Sequence, residues 1–314
     1  MTTCLTNHIL MIRPSKFGYN NETALNNTYQ NIDDTQSDID ISLRAKNEFD
    51  NLVNALKKHN INVLVFNDTL DTCTPDSLFP NNWISTHASG VICLYPMFAQ
   101  NRRLERRDDI VKYLIDNFQV KKVVDELVIY EDEERFLEGT GSMVLDRYNH
   151  IAYAAISNRT NEMVFNLWCS KFNYDPVSFH TKMSLNGQVA PIYHTNVLMS
   201  ICSNMVFICF DVCPYEDDKE KLLNYFNKTN KEVIEISIEQ KKCFLGNVIE
   251  IKNNQDETYL VMSTKAFSTL NDSQIQIIHK YSKIIHSPLD TIEYFGGGGA
   301  RCMIAELYLK KKLL

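Results

Sequence analysis

The chain has 314 residues, 32 Lys plus Arg against 39 Asp plus Glu, a formal net charge of −7 and 44% hydrophobic residues. This balance excludes a disordered, collagen-like or coiled-coil chain, and the length allows two domains or one large α/β domain. The acidic surplus argues against nucleic acid as partner, no apolar run approaches the length of a membrane span, and the start lacks the basic and apolar segments of a secretory leader.

The first apolar run, His8 to Ile12, reads as a strand stopped by Pro14. Residues 40–59 read as a helix, because Phe49, Leu52, Val53 and Leu56 share one face. Asn62 to Phe66 reads as a buried strand, and Asn81 to Tyr95 as strand material around VICLY. A charged amphipathic helix is expected over Arg103 to Asn117 and a short strand over Lys121 to Val124. Strands at 143–147 and 151–156 precede a helix at 161–172 with Thr160 as N-cap. Strands at 197–201 and 205–210 precede a helix at 216–228 and a strand at 233–237. The last part reads as strands at 247–251 and 258–263, a helix at 272–281, and strands at 283–286 and 301–309. The order strand, strand, helix, strand therefore recurs about five times, which favours one closed array over separate domains. The Asn-rich segment 20–38 is the best candidate for a mobile surface loop. The nine cysteines are scattered, mostly inside apolar runs, and include no CxxC pair. They read as reduced thiols of a cytoplasmic protein, with no structural zinc.

Four segments carry unusual residues. GGGGARCMIAEL, 296–307, holds four of the ten glycines and reads as a glycine-rich hairpin that presents Cys302 at the mouth of a site. The others are PDS with FPNNWISTH at 75–87, LEGTGSMVLD at 137–146, and YHTNVLMSI at 193–201. Asn82, Glu138 and His194 are spaced 56 residues apart, and Cys302 follows His194 by 108, close to twice that period. If equivalent positions converge on a common axis, an amide, a carboxylate, an imidazole and a thiol meet in one pocket. A cysteine hydrolase needs that set.

These motifs resemble the pentein, or amidinotransferase, superfamily of arginine deiminases, dimethylarginine hydrolases and glycine amidinotransferases. MIRPSKFGYNNETALNNTYQ, LEGTGSMVLDR, SNRTN and GGGGARCMIAE are most similar to its citrulline hydrolase branch. The resemblance implies a five-fold pseudosymmetric α/β propeller, the pentein fold, built from strand-strand-helix-strand units as a single domain over residues 1–314. It implies Cys302 as nucleophile, His194 as general acid/base and Glu138 as the partnering carboxylate. The family turn Glu-Gly-Gly-Asp reads Glu-Gly-Thr-Gly here, so its final Asp is missing. Asp76 matches the residue that meets a substrate ammonium. Arg159 in SNRTN, with Arg102 or its neighbour Arg103 in QNRRLERR, is expected to hold the substrate carboxylate. No cofactor and no metal is implied; the expected partner is a small amino acid, and a homodimer is allowed.

Where dimethylarginine hydrolases carry Glu-Asp to grip a guanidinium, this chain has Asn81-Asn82. A guanidinium stays protonated, and leaving a buried charge without its partner costs about 3–5 kcal/mol. An amide offers acceptor and donors that complement a neutral ureido group. The expected substrate is therefore citrulline, cleaved to ornithine, ammonia and carbon dioxide through an S-linked intermediate. The alternative is an arginine deiminase or dimethylarginine hydrolase. A non-catalytic binding protein on the same scaffold is disfavoured, because Cys302, His194 and Glu138 are all present.

Overall fold

A computed structural model describes residues 5–24, 26–27, 29–33, 35–185 and 188–312. Five three-stranded sheets organise it. In chain order of their helices they are Ala305–Glu306, His8–Arg13 and Asn62–Asn67; Ile84–His87, Val91–Leu94 and Lys122–Val124; and Val144–Asp146, Ile151–Ala155 and Asp175–Phe179. The fourth holds Met199–Ile201, Met205–Ile208 and Glu232–Glu235, and the fifth Ile249–Lys252, Thr258–Ser263 and Lys283–Ser287. In each sheet the first pair runs antiparallel and the second pair parallel. A parallel pair needs a crossover, and each crossover contains one long helix: Asp38–Lys58, Asp108–Asn117, Glu162–Phe172, Glu216–Lys228 and Asp272–Tyr281. The first sheet is closed by the end of the chain, since Ile9 pairs with Glu306.

The sequence explains these elements locally. Central strands such as Ile151–Ala155 and Met205–Ile208 are buried at every residue and read as unbroken apolar runs. The Asp38–Lys58 helix buries Ile41, Ala45, Phe49, Leu52, Val53 and Leu56 at three- and four-residue spacing. Ser37 caps it by accepting from the Asp40 amide, and Lys57 and Lys58 lie at its negative end. Among the described residues no helix is long and apolar enough to cross a membrane, and every described cysteine is free.

Several expectations are corrected. The helix expected from Arg103 to Asn117 breaks into Gln100–Arg103 and Asp108–Asn117, because Glu105 turns inward onto Arg102 and Arg107 is extended. The cap of the third crossover helix is Asn161, which accepts from the Val164 amide, while the Thr160 amide bonds Ser157. Asp175–Phe179 has no counterpart in the sequence reading, since its Asp-Pro start hides a strand. The last strand shrinks to Ala305–Glu306. The glycine run is no hairpin: it ends the helix Asp290–Gly296, with Gly297 as a left-handed cap whose amide bonds the Glu293 carbonyl.

Candidate active site

Each sheet sends one polar residue from just before its first strand: Asn82 before Ile84, Glu138 before Val144, His194 before Met199, Asn247 before Ile249 and Cys302 before Ala305. Short turns deliver them. Asn82 closes the 3-10 turn Pro80–Asn82, Glu138 opens the turn Gly139–Ser142, and His194 opens the turn Thr195–Val197. All five side chains are buried.

His194 Nε2 donates to Glu138 Oε2 at 2.7 Å, and the Phe98 amide donates to Glu138 Oε1 at 2.9 Å. Burial alone would keep Glu138 protonated. The Arg159 guanidinium at 3.5 Å, the His194 bond and Arg102 at 3.9 Å outweigh it and hold the carboxyl well below its usual range. Burial pushes His194 down to about 4 despite Glu138, so its imidazole is neutral at pH 7. The Cys302 thiol is pushed up by burial, against donation from Asn247, Gly299 and Asn196.

Seven of the eight residues proposed from sequence form one connected network. Arg102 lies 3.8 Å from Asp76, donates to Asn82 Oδ1 at 2.8 Å, and grips Glu105 with two bonds of 2.9 Å. Asn82 Nδ2 donates to Asn81 Oδ1 at 3.1 Å. Arg159 joins through Glu138, and also binds Asn26 and the Thr23 carbonyl. The eighth residue, Cys302, is reached differently. Its sulfur accepts from Asn247 Nδ2 at 3.2 Å and Asn196 Nδ2 at 3.4 Å, rather than from His194. Among the described residues, the buried polar atoms of this region without a partner include Asp76 Oδ1, Asn81 Nδ2 and Asn196 Oδ1. An amino-acid ligand carries groups that satisfy such atoms.

The missing Asp of the Glu-Gly-Thr-Gly turn has a spatial cause. A Cβ on Gly141 would lie 2.3 Å from Asn82 Nδ2 and 2.9 Å from His194 Cε1. No larger residue fits there while Asn82 and His194 keep their places. Both arginines expected to hold a substrate carboxylate are buried and engaged by protein groups, so a carboxylate reaches them only by sharing those bonds. Arg103 is turned away, onto the Met97 carbonyl and Glu131.

The Asn-rich segment expected as a mobile surface loop packs in part against the site: Asn20 Nδ2 donates to Asp76 Oδ2 at 2.8 Å, Thr23 Oγ1 to the same oxygen at 3.0 Å, and Asn27 Nδ2 to the Gly296 carbonyl, while Asn21, Asn31 and Ile32 are exposed. Leu25, Thr28 and Asp34 of that segment lie outside the described residues. Sequence reasoning also missed Asn196 and Asn247. The period of about 56 pointed to the second, because Asn247 follows His194 by 53 residues and precedes Cys302 by 55. Among the described residues no group of three or more His, Cys, Asp or Glu side chains could hold a metal ion.

The sequence matches the eukaryotic N,N dimethylarginine dimethylhydrolase family over residues 13–309. No curated protein sequence matches the chain. In structure it is similar to the N-terminal domain of ArgZ, an arginine dihydrolase of cyanobacteria, in a substrate-bound form, with TM-score 0.71 and 15% identity over 95% of this chain and 97% of that one. AgrE with bound L-arginine gives TM-score 0.72 at 15% identity over 95% of this chain. The chain spans only 40% of AgrE. A dimethylarginine dimethylaminohydrolase in an adduct with 4-chloro-2-hydroxymethylpyridine gives TM-score 0.63 at 14% identity, over 96% of this chain and all of that one.

Proposed function

The chain belongs to the N,N dimethylarginine dimethylhydrolase family, and on that premise we propose that it hydrolyses a C–N bond at the guanidino carbon of an arginine-type amino acid through a covalent Cys302 intermediate. The observation that carries this is the buried set itself: a neutral imidazole held at 2.7 Å by an ionised Glu138, and a thiol held by amides, one of them on the same turn as that imidazole. The reading includes residues 1–314 as one domain, with five equivalent units around a common axis. Its support is that each sheet delivers one residue to the site.

Asp76, with one oxygen unpartnered, takes the substrate ammonium. The substrate carboxylate shares Arg159 or Arg102. The Cys302 sulfur attacks the guanidino carbon, and the thiol proton leaves with the departing amine. That step converts the thiol and the guanidinium into an S-linked thiouronium and a free amine. His194, neutral and oriented by Glu138, then takes a proton from water as the oxygen bonds to the same carbon. Collapse breaks the C–S bond and restores the thiol, leaving a ureido amino acid and one proton. The neutral state of His194 suits a base for water better than an acid in the free protein.

One observation favours a second reading. Asn81 and Asn82, which stand in the motif where dimethylarginine hydrolases carry Glu-Asp, are buried, and amides suit the neutral ureido group of citrulline. The family and the structural neighbours support the guanidino reading more strongly. Incubation with arginine, dimethylarginine and citrulline in separate reactions, with ornithine, citrulline, ammonia and dimethylamine quantified, separates them. Release of amine from arginine or dimethylarginine is the expected result. Turnover of citrulline alone would replace the first reading by the second. In the guanidino reading Asn82→Asp raises guanidine use; in the ureido reading it also lowers citrulline use.

A further inference from the structure

We propose that Asn247 is the residue that sets the ionisation of Cys302 and fixes its sulfur for attack, the fifth member of the site. This rests on Cys302 as nucleophile, and it assigns a role to a residue that the substrate question does not touch. The Asn247 carboxamide is fully used. Its Nδ2 donates to Cys302 Sγ at 3.2 Å and to the Asn196 carbonyl at 2.8 Å. Its Oδ1 accepts from the Gly299 amide at 3.2 Å and the Cys302 amide at 3.4 Å. Its own carbonyl accepts from the Arg301 amide at 3.3 Å. One residue therefore ties the nucleophile, the backbone leading into it and the turn that carries His194.

The chemistry calls for such a donor. Burial opposes a thiolate. The imidazole that partners the cysteine in many hydrolases is here neutral and bonded to Glu138 through Nε2. The sulfur's side-chain donors are two amides, and Asn247 is the nearer. A donor to sulfur stabilises the anion over the thiol. Asparagine meets this pattern where its near relatives do not: aspartate cannot donate, and serine is too short to bond four groups. The position agrees with the repeat, since Asn247 stands before the first strand of the fifth sheet as Asn82, Glu138, His194 and Cys302 stand before theirs.

The test measures the pH dependence of iodoacetamide alkylation of Cys302 in the full chain without substrate, following its peptide by mass spectrometry so that exposed Cys73 does not interfere. Wild type is compared with Asn247→Asp and Asn247→Ser, each checked for native circular dichroism. The expected result is an alkylation midpoint about 1–2 pH units higher in both variants, the worth of one hydrogen bond to a charged group, with a larger shift for the aspartate. The pH profile of kcat should move the same way. If Asn247→Asp does not fold, Asn247→Ser decides. An unchanged or lowered midpoint in a folded variant overturns the proposal, even if kcat falls, because a merely structural role lowers kcat without moving the thiol. No substrate is involved, so failure here is distinguishable from failure of the guanidino reading.

Discussion

Two ionic clusters of this molecule differ in how fully the protein satisfies them. Around Glu306, Arg301 donates at 3.0 Å, Arg147 lies at 3.7 Å with its guanidinium 4.2 Å from the Tyr308 ring centre, and the Tyr308 hydroxyl donates at 2.8 Å. Nearby, Lys231 pairs with Asp146 at 3.1 Å and also bonds the Cys202 and Ser203 carbonyls. Each of these charges is met by protein. The cluster around Asp76 and Glu138 is more deeply buried, yet it leaves Asp76 Oδ1 and two amide atoms without partners. Satisfied charges hold the fold, whereas leaving buried polar atoms unpartnered costs stability.

The largest effect that would sharpen this comparison is at the proposed nucleophile, Cys302. Cys302→Ser should lower turnover by about 10³-fold or more while the circular dichroism stays native, because the oxygen is a poorer nucleophile in the same place. Ammonia release reads it, and normal turnover would break the scheme. Next, Glu306→Gln should cost about 3–5 kcal/mol by stranding Arg147 and Arg301, whereas Asp76→Asn should raise KM and move stability far less. Denaturation midpoints and substrate kinetics of the two variants check this, and equal destabilisation would erase the distinction between the clusters.

Gly141→Ala should lower kcat about 100-fold by displacing Asn82 or His194, since misplacement of about 1 Å has that consequence. Its destabilisation should stay within about 1–3 kcal/mol, as for overpacking elsewhere. The smallest effect concerns acid. The Glu138 carboxyl is depressed in the folded state, so it contributes stability above its ordinary value of 4.5 that is lost as pH falls below it. Denaturation midpoints of wild type and Glu138→Gln should therefore converge on acidification. A difference that persists at low pH would refute the ionised Glu138.

How much the chain revealed depends on the range of the forces involved. Helices such as Asp272–Tyr281 and strands such as Thr258–Ser263 were legible because apolar spacing is a local signal. So was the candidate set Asn82, Glu138, His194 and Cys302, because a repeat copies positions along the chain. Helix limits at Arg107 and Asn161 were not, because a buried Arg102–Glu105 contact and a competing amide decided them.

By itself the sequence determined the repeated strand and helix order, the family motifs and the residues available for chemistry, since these depend on periodicity and side-chain type. Only the tertiary structure decided that Asn247 and Asn196, not His194, bond the Cys302 sulfur. It also decided that an Asn-rich stretch packs in part against the site and that Asn82 and His194 fill the space a missing aspartate would need. These are contacts between segments distant in the chain, whose energies depend on distances and burial that no local pattern encodes.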